Sequence, residues 1–140
     1  MKNCKILLAV FFIFALCLKS YSDVEIPNLI GKWQIQSVAA HTEINGHFTN
    51  QPGTVFEIKS QEGRIFEGNK FWKPKDSKED FSESFSGVID YKGEKIYVVE
   101  HEDGYMFGDI LSKDKIVMYY LESGEHAKVL LYEIERIIEK

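Results

Sequence analysis

Lys95-Ile96-Tyr97-Val98-Val99-Glu100-His101 and Tyr105-Met106-Phe107-Gly108-Asp109-Ile110-Leu111-Ser112 stand on either side of Asp103-Gly104, and their reading decides the fold. Side chains on a strand alternate between two faces, so an apolar pattern of period two marks β-structure rather than helix. Asp-Gly supplies the positive backbone angles of a tight hairpin turn. Together they predict two antiparallel strands, and the same grammar extends in both directions.

Upstream, a strand begins near Trp33 and runs toward Ile44, where Asn45-Gly46 turns the chain and His47 starts a return. Asn50-Gln51-Pro52-Gly53 breaks that return, after which Thr54, Phe56 and Ile58 alternate with Val55, Glu57 and Lys59. Gln61-Glu62-Gly63 turns into a strand from Arg64 to about Trp72, and Lys73 to Ser84 reads as a long charged loop. Phe85 to Asp90 follows as a short strand. Downstream of the hairpin, Ile116 to Glu122 and Ala127 to about Ile137 complete a count of eight strands. Tyr132 to Ile137 has fair helix propensity, but its alternation after a hairpin favours strand. Eight sequential antiparallel strands predict an all-β up-and-down barrel, because closure pairs the two edges that would otherwise stay open. An interior of that size is filled by side chains or holds one small ligand.

The first 22 residues read as a secretory signal peptide: Lys2 and Lys5, an apolar run from Ile6 to Leu18, and small residues at Ser20 and Ser22. The run is shorter than the roughly 20 apolar residues that span a bilayer, so the expectation is an exported, periplasmic or extracellular domain over 23–140 with no stable membrane insertion. Phe14-Ala15-Leu16-Cys17 faintly matches a lipobox, but Leu16 occupies a position that wants a small residue, so lipid anchoring at Cys17 is disfavoured. Cys4 and Cys17 both lie in the leader, and the remainder must be held by its core rather than by disulfides. Loss of Lys2, Lys5 and Lys19 takes Lys+Arg from 17 to 14 against 22 Asp+Glu and the net charge from −5 to −8. Such a surface repels phosphate backbones and anionic lipid, which argues against nucleic acid as a partner.

Leu29-Ile30-Gly31-Lys32-Trp33 resembles the Gly-x-Trp opening of lipocalins and avidin-like proteins. The resemblance to these calycin-like barrels implies that Trp33 plugs one barrel end and that a basic residue near the end of the last strand, here Arg136, packs over it as a barrel-closing pair. The rest of the chain looks like small exported barrels of unassigned activity. Avidin-like ligand binders line their pocket with several tryptophans, whereas only Trp33 and Trp72 are present, so biotin binding is not expected.

Chemistry-bearing motifs are scarce. His41, His47, His101 and His126 show no metal-ligand spacing, and alternation sends Glu100 and Glu102 to the face opposite His101. There is no Gly-x-Ser-x-Gly, no phosphate-binding Gly-rich loop and no calcium loop, so no cofactor or metal is expected. The first functional reading is a non-catalytic binding module carrying a small apolar or amphipathic ligand, with Trp33, Trp72, Tyr97, Phe107 and Tyr119 as lining. These rings serve equally as packed core. The alternative is a protein-binding barrel, an inhibitor or adhesin, acting through Lys73 to Ser84 and through Glu100, Glu102 and Asp103. The least favoured is a small isomerase or cyclase using carboxylates at the barrel mouth. Finally, Ile116-Val117-Met118-Tyr119-Tyr120-Leu121 is apolar on both faces and needs cover, either from the arm Val24 to Ile30 or from another copy in a homo-oligomer.

Overall fold

Alternating apolar residues build nine strands in the computed structural model, which describes residues 24–50, 53–73, 77–102 and 104–138. The segment 1–22 read from sequence as a signal peptide, with Cys4 and Cys17, lies outside these residues, as does Asp103. The strands are β1 (Gly31–Thr42), β2 (Gly46–Asn50), β3 (Val55–Glu62), β4 (Ile65–Trp72), β5 (Phe81–Ile89), β6 (Lys95–Glu100), β7 (Tyr105–Ser112), β8 (Lys115–Glu122) and β9 (Lys128–Arg136).

Eight of the nine close a barrel. Each strand from β3 to β9 pairs antiparallel with the next, and β9 returns to β1 along a ladder from Trp33↔Arg136 to Thr42↔Lys128. The other edge of β1 is shared: its first half pairs with β3 (Trp33↔Phe56) and its second half with β2 (Ala40↔Phe48). β2 and β3 thus occupy one barrel position, as two halves of a strand interrupted between Asn50 and Val55.

Two boundaries differ from the sequence reading. β1 stops at Thr42, and the turn over 43–45 leaves Ile44 exposed. Only Gly46 has positive φ there, while the Thr42 hydroxyl accepts the Asn45 N–H at 3.0 Å, so a side chain supplies what a second positive φ was expected to provide. β5 begins at Phe81, four residues before the expected start, so the charged loop is shorter. Phe81 stacks on Trp72 across the β4–β5 pair (5.9 Å, 26°), which extends the ladder past the polar serines.

The inward residues form one core containing Trp33, Ile35, Phe56, Phe66, Phe85, Ile96, Met106, Ile116, Met118 and Ile134. A bulge between Ile35 and Ser37 shifts the alternation so that Val38 and Ala40 also point inward. Gly68 has no room for a side chain, since a Cβ there would sit 2.0 Å from the Glu57 carbonyl oxygen. In this half of the barrel little space is left, about 10 Å³ between Trp33, Phe56, Phe85, Met106 and their neighbours.

One end is sealed by the arm ahead of β1. Leu29 is fully buried, its N–H donates to Gln61 Oε1 (2.8 Å), and Gln61 Nε2 donates to the Pro27 carbonyl (2.9 Å). The Trp33 indole N–H donates to the Leu29 carbonyl (2.9 Å), and the Arg136 guanidinium lies over the Trp33 ring, 4.2 Å from its centroid. Arg136 also donates to the carbonyls of Ile30 (2.7 Å), Asn28 (2.8 Å) and Lys113 (3.1 Å) and pairs with Asp114 (3.3 Å). The arm therefore caps this end and does not cover the outer face of β8, where Tyr119 and Leu121 stay 43% and 45% exposed.

Gly31 makes that closure possible. Its φ is +130°, a conformation that side chains rarely adopt, and a Cβ would come within 3.2 Å of Arg136 Nη1. Gly31→Ala is expected to lower unfolding free energy by about 1–3 kcal/mol, read as an earlier midpoint in urea; an unchanged midpoint would show that neither the strain nor the Arg136 seat matters.

Candidate functional site

The period that builds the core also builds a polar end. On β4 the inward series is Phe66, Gly68, Lys70, Trp72; on β5 it is Glu83, Phe85, Gly87, Ile89; on β6 it is Ile96, Val98, Glu100. On β8 it runs Ile116, Met118, Tyr120, Glu122, and on β9 it runs Lys128, Leu130, Tyr132, Ile134. Each series turns polar toward the end opposite Trp33. The charged residues meet there because register makes them neighbours: Lys70 is directly across from Glu83, and Glu122 from Lys128.

Lys70 is the hub of this cluster. Its ammonium donates to Glu100 Oε1 and lies 3.2 Å from Glu83 Oε2, with the rings of Trp72 and Tyr120 5.0 and 5.6 Å away. Glu83 Oε1 accepts the Glu102 N–H at 3.1 Å, which ties the cluster to the β6–β7 connection. On the other side, Glu122 accepts the Tyr120 hydroxyl (2.7 Å) and pairs with Lys128 (2.5 Å).

Glu100 is the costly member. It is only 4% exposed, and its Oε2 is buried without a hydrogen bond of normal geometry, although the Tyr120 hydroxyl is close enough to favour the charged form. Burial pushes its carboxyl up to about 6 against the opposing pull of Lys70, and the Glu83 charge adds to the rise. Burial likewise raises the phenols of Tyr120 and Tyr132, so both remain neutral donors. Glu122 behaves oppositely: burial works to raise it, but the hydrogen bonds from Lys128 and Tyr120 hold it low.

Above this cluster opens a cavity of about 380 Å³. Ile35, Val38, Phe48, Leu130 and Tyr132 form its apolar wall, and Lys70, Glu83, Glu122 and Lys128 its polar one, with Trp72 and Tyr120 contributing rings. An apolar wall with a few convergent polar groups is the arrangement that orients a small molecule.

The expected lining is largely corrected. Trp33 is fully buried at the sealed end and touches no open space of that size; Trp72 does line the cavity. Tyr97, Phe107 and Tyr119 point outward, because Ile96, Val98, Met106, Met118 and Tyr120 hold the inward parity of their strands. Outside, they form a cross-strand row, Tyr97–Phe107–Tyr119–Leu131. A second row beside it runs Val99–Tyr105–Leu121–Val129. The acidic hairpin tip is corrected in part: Glu100 is an interior group, Glu102 is exposed, and Asp103 lies outside the described residues.

His101 sits outside between two serines, its Nδ1 2.8 Å from Ser84 Oγ and its Nε2 3.0 Å from Ser86 Oγ. A neutral imidazole with one donor and one acceptor satisfies both hydroxyls. Among the described residues the ring's hydrogen bonds go to these two serine hydroxyls, a serine–imidazole contact on the outer face. Among the described residues no group of three or more His, Cys, Asp and Glu is arranged to hold a metal ion.

The sign of the Glu100 shift gives a pH test. A folded-state carboxyl near 6 against an ordinary 4.5 penalises the ionised folded protein above pH 6, and the penalty disappears as pH falls through 6 toward 4.5. Glu100→Gln removes the titration. We expect any stability advantage of the variant over the parent to be about 1 kcal/mol smaller near pH 5 than near pH 7.5 in paired denaturant melts. Parallel pH profiles for the two proteins would contradict this account of the cluster.

No protein-family model matches the chain, and no curated protein matches it. Among solved structures it is similar to a redesigned β-barrel, with a TM-score of 0.59 and 10% identity over 79% of this chain and 92% of that one. That likeness is one of fold.

Proposed function

We propose that the protein is an exported, non-catalytic binding module that holds one small amphipathic molecule in the cavity at the polar end of the barrel. The observation that carries this reading is the division of labour along the barrel axis: one half is packed to about 10 Å³ of free space, while the other keeps about 380 Å³ open. A barrel whose only task was to fold would gain by filling both halves, since unfilled volume forfeits dispersion contacts. The apolar wall suits a hydrocarbon or ring portion, and the Lys70–Glu83 and Glu122–Lys128 pairs offer charge-assisted hydrogen bonds to a polar end.

Kinship with the calycin-like barrels is part of the proposal. It rests on Gly31 and Trp33 at the head of β1 and on Arg136 stacked over the indole from the end of β9. Export rests on the leader alone. The alternative of protein capture through an acidic tip is weaker, because Glu100 is engaged inside the barrel with Lys70.

Native mass spectrometry of the protein purified gently from its expression host is the direct test, with a mass excess lost on denaturation as the expected result. A cavity-filling variant makes it specific. Leu130→Trp places an indole in the cavity wall and is expected to abolish quenching of Trp72 by an amphipathic fluorescent probe such as an anilinonaphthalene sulfonate. Undiminished probe binding in that variant, or no bound mass and no probe binding in the parent, would overturn the reading.

A further inference from the structure

We infer that a second copy of this chain docks on the two outward rows of β6 to β9, forming a two-fold symmetric dimer. The observation is independent of the cavity. Outward side chains on β3 to β5 are mixed, with Glu57, Lys59, Glu67, Asn69, Ser84 and Ser86 standing among the exposed Ile65, Phe71 and Val88. On β6 to β9 the outward positions over the same height carry three tyrosines, one phenylalanine, two leucines and two valines, each between 39% and 63% exposed. Scattered apolar residues need no explanation, but two adjacent ladder rows four strands wide make one continuous patch.

Size and charge select the occupant. Their exposed fractions sum to about 700 Å² per copy, so two copies would bury about 1,400 Å², inside the range of stable specific interfaces. The composition, rich in tyrosine and without lysine or glutamate in its centre, is that of an interface core. The chain as a whole is acidic, which would oppose self-association on a charged face, yet the charges bordering this patch are paired within one copy: Lys95 with Asp109, and Lys115 with Glu133 at 2.9 Å and Glu135 at 3.8 Å. The eight residues of the patch carry no charge that a second copy would have to bury.

The patch also has relief. A cleft of about 570 Å³ lies between the β1–β2 hairpin and β8–β9, bounded by His41, His47, Leu121, Val129 and Leu131. Tyr105, at 63% the most exposed ring of the patch, is a knob of suitable size for it. A knob and a recess on one surface are what an isologous dimer uses twice. A lipid surface fits less well: the first row runs on through Val88 and Ile65, but the second gives way to Ser86 and Glu67, and a bilayer-spanning barrel needs an apolar band all round.

Sedimentation velocity of the full chain, expressed with its leader and purified as the cell processes it, tests this across low to high micromolar concentration. The expected result is a reversible dimer whose dissociation constant rises about ten-fold or more in Leu121→Lys/Leu131→Lys, while Ser60→Lys, an exposed site on β3, leaves it unchanged. Tyr105→Lys is the second variant should the double one fail to give the parent's circular dichroism. A monomer at every concentration, a dimer indifferent to these lysines, or a monomer that instead partitions onto phosphatidylcholine vesicles would each overturn the inference.

Discussion

The ladder between β1 and β9 is the constraint on which everything else rests. It joins the two ends of the described chain from Trp33↔Arg136 to Thr42↔Lys128, and without it the sheet would have two open edges and no interior. Its two ends are differently equipped. At one, Arg136 stacks on Trp33 and gathers the carbonyls of Asn28, Ile30 and Lys113, converting the N-terminal arm and the β7–β8 turn into a lid. At the other, Lys128 faces Glu122 and the wall is lined with charge rather than closed by a ring. The polarity of the barrel is thus set by what each end of a single ladder carries.

That arrangement explains how an acidic cluster is tolerated inside a small barrel. Removing charges from water is expensive, and a buried pair repays it only with good geometry and further hydrogen bonds. Lys70 serves two carboxylates, Glu102 donates its N–H to one of them, and Tyr120 and Lys128 satisfy Glu122. Glu100 is left with an oxygen that nothing satisfies fully. Its raised carboxyl is the physical trace of a buried charge held at a cost to the fold.

The fold was legible because period two is a local signal: the strands flanking Asp103-Gly104 and the strand after Trp33 announce themselves within a few residues. The site was less so. Lys70, Glu83, Glu122 and Lys128 share the parity of Phe66, Phe85, Met118 and Tyr132, and that parity alone would have placed them inside. Charge, however, reads by default as solvent-facing, and only register shows Lys70 opposite Glu83. Tyr97, Phe107 and Tyr119 misled in the opposite sense. They are aromatic and alternate cleanly, but both faces of β6 to β8 are apolar, so composition could not choose between them. Inward parity is fixed by residues far away in sequence, where β1 meets β9 through a bulge at Ile35/Ser37.

Because neighbouring residues point to opposite faces, the same short segments wall the cavity and carry the outer patch. Tyr120 and Leu130 line the interior, while Tyr119, Leu121, Val129 and Leu131 stand outside on the same two strands. A protein docked on the outer rows would hold β8 and β9 from behind and restrict the rotamers and breathing of the wall a ligand touches. Ordering done once need not be done again, so occupation of either face would favour the other without any change of shape. The coupling would run through backbone shared between two faces rather than through a chain of contacts, and its seat would be the β8–β9 hairpin, where Glu122 and Lys128 already fix one end of the pair.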